Sequence, residues 1–186
     1  MDQRTDEDIA ALVQQGDVES FGVLIERYAD RLRRYARRFL FGRDDVEDLV
    51  QDILIKAYTN IRSFRTDRRF SPWLYRIAHN EFVNALKRKR REALPFFDAD
   101  TLFPHPVARE TADRELHEKE LRAALEHSLG ALDPKYREPL VLYYFEEMSY
   151  DDIAEVLHIP VATVGVRLNR AKALLRTAKA SSELHA

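Results

Sequence analysis

An all-α fold, two small helical domains joined by a flexible linker, is what this sequence predicts. Three observations carry that prediction. Only five of 186 residues are glycine, while Leu, Ala, Arg and Glu, all good helix formers, are abundant. Apolar residues recur three and four apart on both sides of a proline-interrupted stretch. No segment shows the strict alternation of a half-buried strand. The expected domains are 1–92 and 114–180, with a linker at 93–113 and a short tail at 181–186.

Taken in order, Thr5 and Asp8 have capping-box spacing and open a short helix that stops at Gly16. Asp17 is placed to cap a longer helix that buries Phe21, Leu24, Ile25, Tyr28, Leu32, Tyr35 and Phe39 and ends near Gly42. A third helix begins at Asp44 or Asp45 and buries Val46, Leu49, Val50, Ile53, Ala57 and Tyr58. Ser71 followed by Pro72 reads as an N-cap and a first-turn proline, starting a helix that runs to about Arg91. Pro95, Pro104 and Pro106 then break all periodicity, which is why this stretch reads as a linker. Helical spacing resumes at Leu116, Leu121, Leu125, Leu129 and Leu132. Asp133-Pro134 opens a further helix that Pro139 is expected to kink. Ser149 and Asp152 form a second capping box, for a short helix through Leu157, and the last helix starts at Val161.

Composition excludes several function classes. With no cysteine there are no disulfides and no thiolate zinc sites. The six histidines lack metal-ligand spacing; His117-Glu118 begins like a zinc-protease motif, but Leu121 stands where the second ligand belongs. There is no glycine-rich phosphate loop and no nucleophile elbow, so neither an enzyme nor a cofactor is expected. No apolar run reaches the ~20 residues of a membrane span, and the acidic first residues lack a signal-peptide pattern. A cytoplasmic protein without membrane insertion is expected.

The net charge of −2 conceals a segregation that points to a polyanion. Between Arg62 and Glu92 stand ten Lys or Arg (62, 65, 68, 69, 76, 87, 88, 89, 90, 91) against three acids (67, 81, 92). A second basic cluster, Arg167, Arg170, Lys172, Arg176 and Lys179, has no acid among its members. Residues 149–176 have the spacing of a helix-turn-helix: Ala154 at the close approach, Ile153, Leu157, Ile159, Val164 and Leu168 between the helices, and Thr163, Arg167, Arg170 and Lys172 outward toward a major groove. In the helix from Ser71, Arg76, Asn80, Asn84, Lys87, Arg88 and Arg91 make one polar stripe. Leu74, Ala78, Phe82 and Leu86 take the opposite, core-facing side. Amides among arginines suit bases as well as phosphates. Phe64, Phe70, Trp73 and Tyr75 lie near enough to stack on unpaired bases, although Trp73 is better explained as core.

The runs DDVEDLVQDILIKAY, FSPWLYRIAHNEFVNALKRKRR and LDPKYREPLVLYYFEEMSYDDIAEVLHIPVATV resemble the extracytoplasmic-function group of sigma-70-like factors, over about residues 8–92 and 115–178. The resemblance implies a transcription initiation factor whose two domains, regions 2 and 4, bind the promoter −10 and −35 elements. It implies core RNA polymerase and promoter DNA as partners, and an anti-sigma factor as a regulator. Asp48, Gln51 and Asp52 match the family's polymerase contact and share an exposed face opposite Leu49 and Ile53. Arg76, Asn80 and Asn84 match the face that reads and opens the −10 element, with Lys87 to Arg91 on nearby backbone. Thr163, Arg167, Arg170 and Lys172 fall on the −35 recognition helix. The chain departs from the pattern where Gly165 and Val166 replace a basic residue and Ser, where His158 replaces the turn glycine, and at Pro139. The competing reading is a stand-alone helix-turn-helix regulator that does not act through polymerase, for which the acidic face at Asp48 to Asp52 has no use.

Overall fold

A computed structural model describes residues 3–40, 45–92, 129–130 and 132–183, with side chains described to 88 in the first half and to 176 in the second. Every regular element among these residues is helical. The helices are α1 (Asp6–Gln14), α2 (Phe21–Leu40), α3 (Val46–Thr59), a 3-10 turn (Ile61–Ser63), α4 (Phe70–Glu92), α5 (Pro134–Tyr144), α6 (Tyr150–Leu157) and α7 (Val161–Glu183). The linker expected at 93–113, Leu116, Leu121, Leu125 and the tail beyond 183 lie outside the described residues or have no described side chains.

Local chemistry sets most boundaries. Both capping boxes form: Thr5 with Asp8 at α1, and Ser149 with Asp152 at α6. Gly16 follows α1 with φ +107°, a conformation that a side chain strongly disfavours. Asp17 accepts hydrogen bonds from the Ser20 amide and hydroxyl at 3.2 and 2.7 Å. It therefore caps a tight turn over 18–20, and α2 proper begins one turn later than its position suggests. The expected start of α4 also needs correction. The helix begins at Phe70, so Ser71 is already inside it, and the Phe70 amide donates to the Glu7 carboxylate of α1 at 2.8 Å. The cap comes from another helix, which no local pattern reveals. Asp133 caps α5 through the Lys135 amide, Pro134 occupies the first turn, and the helix continues through Pro139.

Helices α1 to α4 close around Ile9, Leu24, Tyr28, Leu32, Tyr35, Phe39, Leu49, Ile53, Phe70, Leu74 and Phe82, all nearly inaccessible. Residues of this size contribute about 1.5–3 kcal/mol each on full burial. Two expected core residues are not core: Ile25 is 39% exposed and Tyr58 37%, the latter leaning on Phe21 with ring centroids 5.1 Å apart. Helices α5 to α7 close around Leu129, Val141, Leu142, Ile153, Val156, Val164, Leu168 and Ala171.

The two helical units are docked. Helix α4 packs along α6, and α2 along α5. Glu138 and Glu146 of the C-terminal unit are 5% and 6% exposed and reach hydroxyls of the N-terminal unit, Tyr35 for Glu138 and Tyr75 for Glu146. Glu138 also meets His79 Nδ1 at 2.8 Å, and Arg31 Nε donates to Glu146 at 3.3 Å. In the other direction, the Arg137 guanidinium donates to the Phe39 carbonyl at 2.7 Å. Buried carboxylates this well supplied with donors satisfy the condition for a polar group to leave water.

Candidate nucleic-acid interface

Helix α3 presents Asp48, Gln51 and Asp52 to solvent while Leu49, Val50 and Ile53 are buried. The three fall at i, i+3 and i+4, which one face of a helix brings together. Ile55 continues that face and is 60% exposed. An apolar residue in a helix reads from sequence as core, and only its period, seven residues from Asp48, marks Ile55 as part of this face.

Helix α4 separates its two sides as expected. Leu74, Ala78 and Phe82 are buried, with Leu86 partly so. Asn80, Asn84, Lys87 and Arg88 are exposed and Arg76 is half-buried. Neither asparagine amide makes a hydrogen bond to another described residue, so both donor and acceptor edges face water. The Arg91 side chain lies outside the described residues. One acid on the helix is taken out of play: Glu81 is buried and pairs with Lys56 Nζ at 2.6 Å.

The aromatic group nearby does something other than await bases. Phe64, Phe70, Trp73 and Tyr75 are all under 7% exposed. Phe64, Phe70 and Trp73 pack on one another with centroids 5.3–5.4 Å apart, and Tyr75 lies 5.2 Å from Tyr35. Their apolar area is spent on the core. Beside Phe64 and Trp73 lies an open cleft whose other walls are Ser63, Arg65, Arg68, Arg76 and Glu155 of α6.

In the C-terminal unit α6, the turn 158–160 and α7 form the helix-turn-helix. Ile153, Leu157, Val164 and Leu168 fill it, with Ala154 and Ile159 packed at its edge. His158 takes the left-handed conformation, φ 52° and ψ 45°, as its place in the turn requires, and it stays exposed. Thr163, Arg167 and Arg170 share one side of α7 at i, i+4 and i+7. Val166, 68% exposed, lies on the same side and was not chosen from sequence. Lys172 does not join them. Nine residues beyond Thr163 is about two and a half turns, which puts it on the opposite side, and its ammonium sits 5.5 Å from the Tyr144 ring centroid. Contact with the Tyr144 hydroxyl pushes its pKa up. Gly165 leaves room for a methyl group, with Tyr150 Cε2 3.5 Å from where a Cβ would stand. No cluster of His, Cys, Asp or Glu among the described residues has metal-binding geometry, and no helix among them is long and apolar enough to cross a membrane.

The comparisons agree with this division into two units. The Sigma-70 region 2 family matches residues 24–92 and the Sigma-70 region 4 family residues 122–175. The chain is 33% identical to the ECF RNA polymerase sigma factor SigW of Bacillus subtilis, covering 88% of this chain and 91% of that protein. It is 34% identical to the ECF RNA polymerase sigma-E factor of Haemophilus influenzae, covering 94% and 95%. Among solved structures, CnrH in complex with the cytosolic domain of CnrY superposes with a TM-score of 0.72 at 31% identity, covering 96% of this chain and 99% of that one. RpoE from Bartonella quintana, in complex with the anti-sigma factor NepR, gives 0.69 at 28% identity, covering 86% and 96%.

Proposed function

The chain belongs to the extracytoplasmic-function sigma factors of the sigma-70 family, non-enzymatic initiation factors that direct RNA polymerase to promoters, and from that premise we propose how its surfaces divide the task. Residues 1–92 act as region 2, 93–113 as the connection, 114–180 as region 4, and 181–186 as a tail. The α3 face of Asp48, Gln51 and Asp52, extended by Ile55, binds core polymerase: it is exposed, acidic and apolar at one edge, and does nothing for the fold. The α4 stripe of Arg76, Asn80, Asn84, Lys87, Arg88 and Arg91 binds and opens the −10 element. Asn80 and Asn84 offer fixed donor and acceptor pairs to base edges, and the cations meet phosphates. Thr163, Arg167 and Arg170, with Val166 among them, enter the major groove at −35. Lys172, braced by Tyr144, serves flanking phosphate.

The observation that carries this reading is the α4 stripe, two unpartnered amides in a row of cations on a helix whose far side is core. A solvated helix face has no need of that combination. A stand-alone helix-turn-helix regulator would leave both α4 and the α3 face without a purpose. CnrH and the Bartonella factor were each solved with a protein partner, the latter an anti-sigma factor; this chain is restrained in the same way, and it works in the cytoplasm.

The test is a titration of core polymerase with wild type and Asp52→Arg. Asp52 is exposed on α3, so charge reversal leaves the melting temperature unchanged and weakens core binding at least several-fold. Undiminished affinity refutes the assignment of the α3 face.

A further inference from the structure

Helix α7 carries residues that its own stability does not favour. Val164, Leu168 and Ala171 are buried and mark its core side. Opposite them, on the outward face, stand Ala162, Val166, Asn169 and Arg170, all exposed. Val166 is 68% exposed, more than any other large apolar side chain among the described residues. A β-branched residue there loses rotamer freedom to the helix and covers no core in return. Gly165 beside it is among the weakest helix formers, yet packing does not call for a glycine: a Cβ would meet only Tyr150 Cε2, at an ordinary 3.5 Å. Asn169, one turn beyond Val166, makes no hydrogen bond to another described residue, so its amide is unspent. The fold accounts for none of these three.

A major groove supplies partners for both exposed side chains. Thymine presents a C5 methyl there, and adenine presents an N7 acceptor beside an N6 amino donor. Val166 and Asn169 are three residues apart, about 4.5 Å along the helix axis, close to the ~3.4 Å between successive base pairs. We propose that Val166 and Asn169 set the sequence this chain selects at −35, by reading two adjacent A·T base pairs. Val166 rests on a thymine methyl. The Asn169 amide donates to N7 of an adenine in the next pair and accepts from its N6 amino group. This rests on the reading of α7 as the −35 helix given above. Gly165 fits the same division of labour. A basic side chain at that position would add a phosphate contact, which is the same for every sequence; without it, discrimination falls to the methyl and amide contacts.

The test uses holoenzyme reconstituted from core polymerase and the full chain, with initiation measured on promoters selected from a library randomised over the upstream element. Replacing thymine by deoxyuridine removes only the methyl group, and replacing adenine by 7-deazaadenine removes only the N7 acceptor; both keep Watson–Crick pairing. Deoxyuridine at one position is expected to lower wild-type initiation about fourfold, the worth of one buried methyl-sized contact, and to change nothing with Val166→Ala. At the adjacent pair, 7-deazaadenine is expected to cost wild type about fivefold or more and to leave Asn169→Ala unaffected. A wild type that tolerates either replacement at every position overturns the proposal, as does a variant that stays as sensitive as wild type. Arg167→Ala/Arg170→Ala tests the α7 reading separately. If that variant keeps the wild-type preference at the upstream element, the α7 reading fails and the proposal with it. If it loses the preference while Val166→Ala and wild type respond alike to deoxyuridine, the proposal fails and the α7 reading stands.

Discussion

Arg137→Met is a demanding test of the docked structure, because this one side chain ties three segments together. It is 2% exposed. Its guanidinium donates to the carbonyls of Phe39 at 2.7 Å, Leu132 at 2.8 Å and Gly130 at 3.2 Å. Phe39 lies in the last turn of α2, where carbonyls lack an intrahelical partner, so the arginine caps a region 2 helix from region 4. Hydrogen bonds to a charged group are worth about 1.5–3 kcal/mol each, roughly 4–9 kcal/mol for three. Against this stands lost hydration. Burial drags the guanidinium well below its ordinary value, to about 10, a cost of roughly 3 kcal/mol at about 1.4 kcal/mol per pKa unit. The net is on the order of 3 kcal/mol, and Met fills most of the space. For a chain of this size that corresponds to a fall in Tm of about 6–12 °C, read by circular dichroism on purified protein. Because the bond to Phe39 crosses the interface, wild type is expected to melt in one transition, which should broaden or split in the variant as the units uncouple. A variant that melts within about 1 °C of wild type in one sharp step refutes the reasoning.

Two further outcomes follow from the same geometry. Burial raises the Glu146 carboxyl above its usual 4.5, although Tyr75, Arg31 and Arg34 oppose the rise. The docked state therefore binds this proton more tightly than the open state, and the stabilisation present in acid is lost as pH climbs from about 4.5 through the raised value. Wild type should lose Tm relative to Glu146→Gln over that window, and the opposite slope contradicts the assignment. His158→Gly relieves a left-handed β-carbon at φ 52°, a strain of about 1–2 kcal/mol offset by roughly 0.5–1 kcal/mol of glycine's unfolded-state entropy. It should stabilise the protein by up to about 1 kcal/mol in urea unfolding; a destabilised variant shows that His158 does more than turn the chain.

What could be read from sequence was what neighbouring residues decide. The Thr5 and Ser149 capping boxes, the apolar faces of α2 and α4, and the filling of the helix-turn-helix all depend on residues within a turn or two of each other. The misreadings share the opposite cause. Phe70 is capped by Glu7, 63 residues away, so α4 begins before the Ser71-Pro72 signal. Phe64, Phe70 and Tyr75 have the aromatic character of a base-stacking platform, and only the three-dimensional packing shows them spent on Trp73, on each other and on Tyr35. Charge groups Lys172 with Arg167 and Arg170, whereas helical phase and the Tyr144 ring put it elsewhere. The docking of the two units was illegible altogether. Its partners, Tyr75 with Glu146 and Tyr35 with Glu138, stand 71 and 103 residues apart, and Glu146 sits beside Glu147 in a pair that looks solvated.

The central claim, that this chain works through polymerase on two promoter elements, is most directly tested by run-off transcription. Core polymerase reconstituted with the chain is supplied with genomic fragments from the host organism, and transcript 5′ ends are mapped. The account predicts transcripts that neither component makes alone, starting at a fixed distance from a pair of shared sequence elements, and their loss with Asp52→Arg. A free chain that binds duplex fragments tightly while the reconstituted enzyme starts no new transcripts would contradict it.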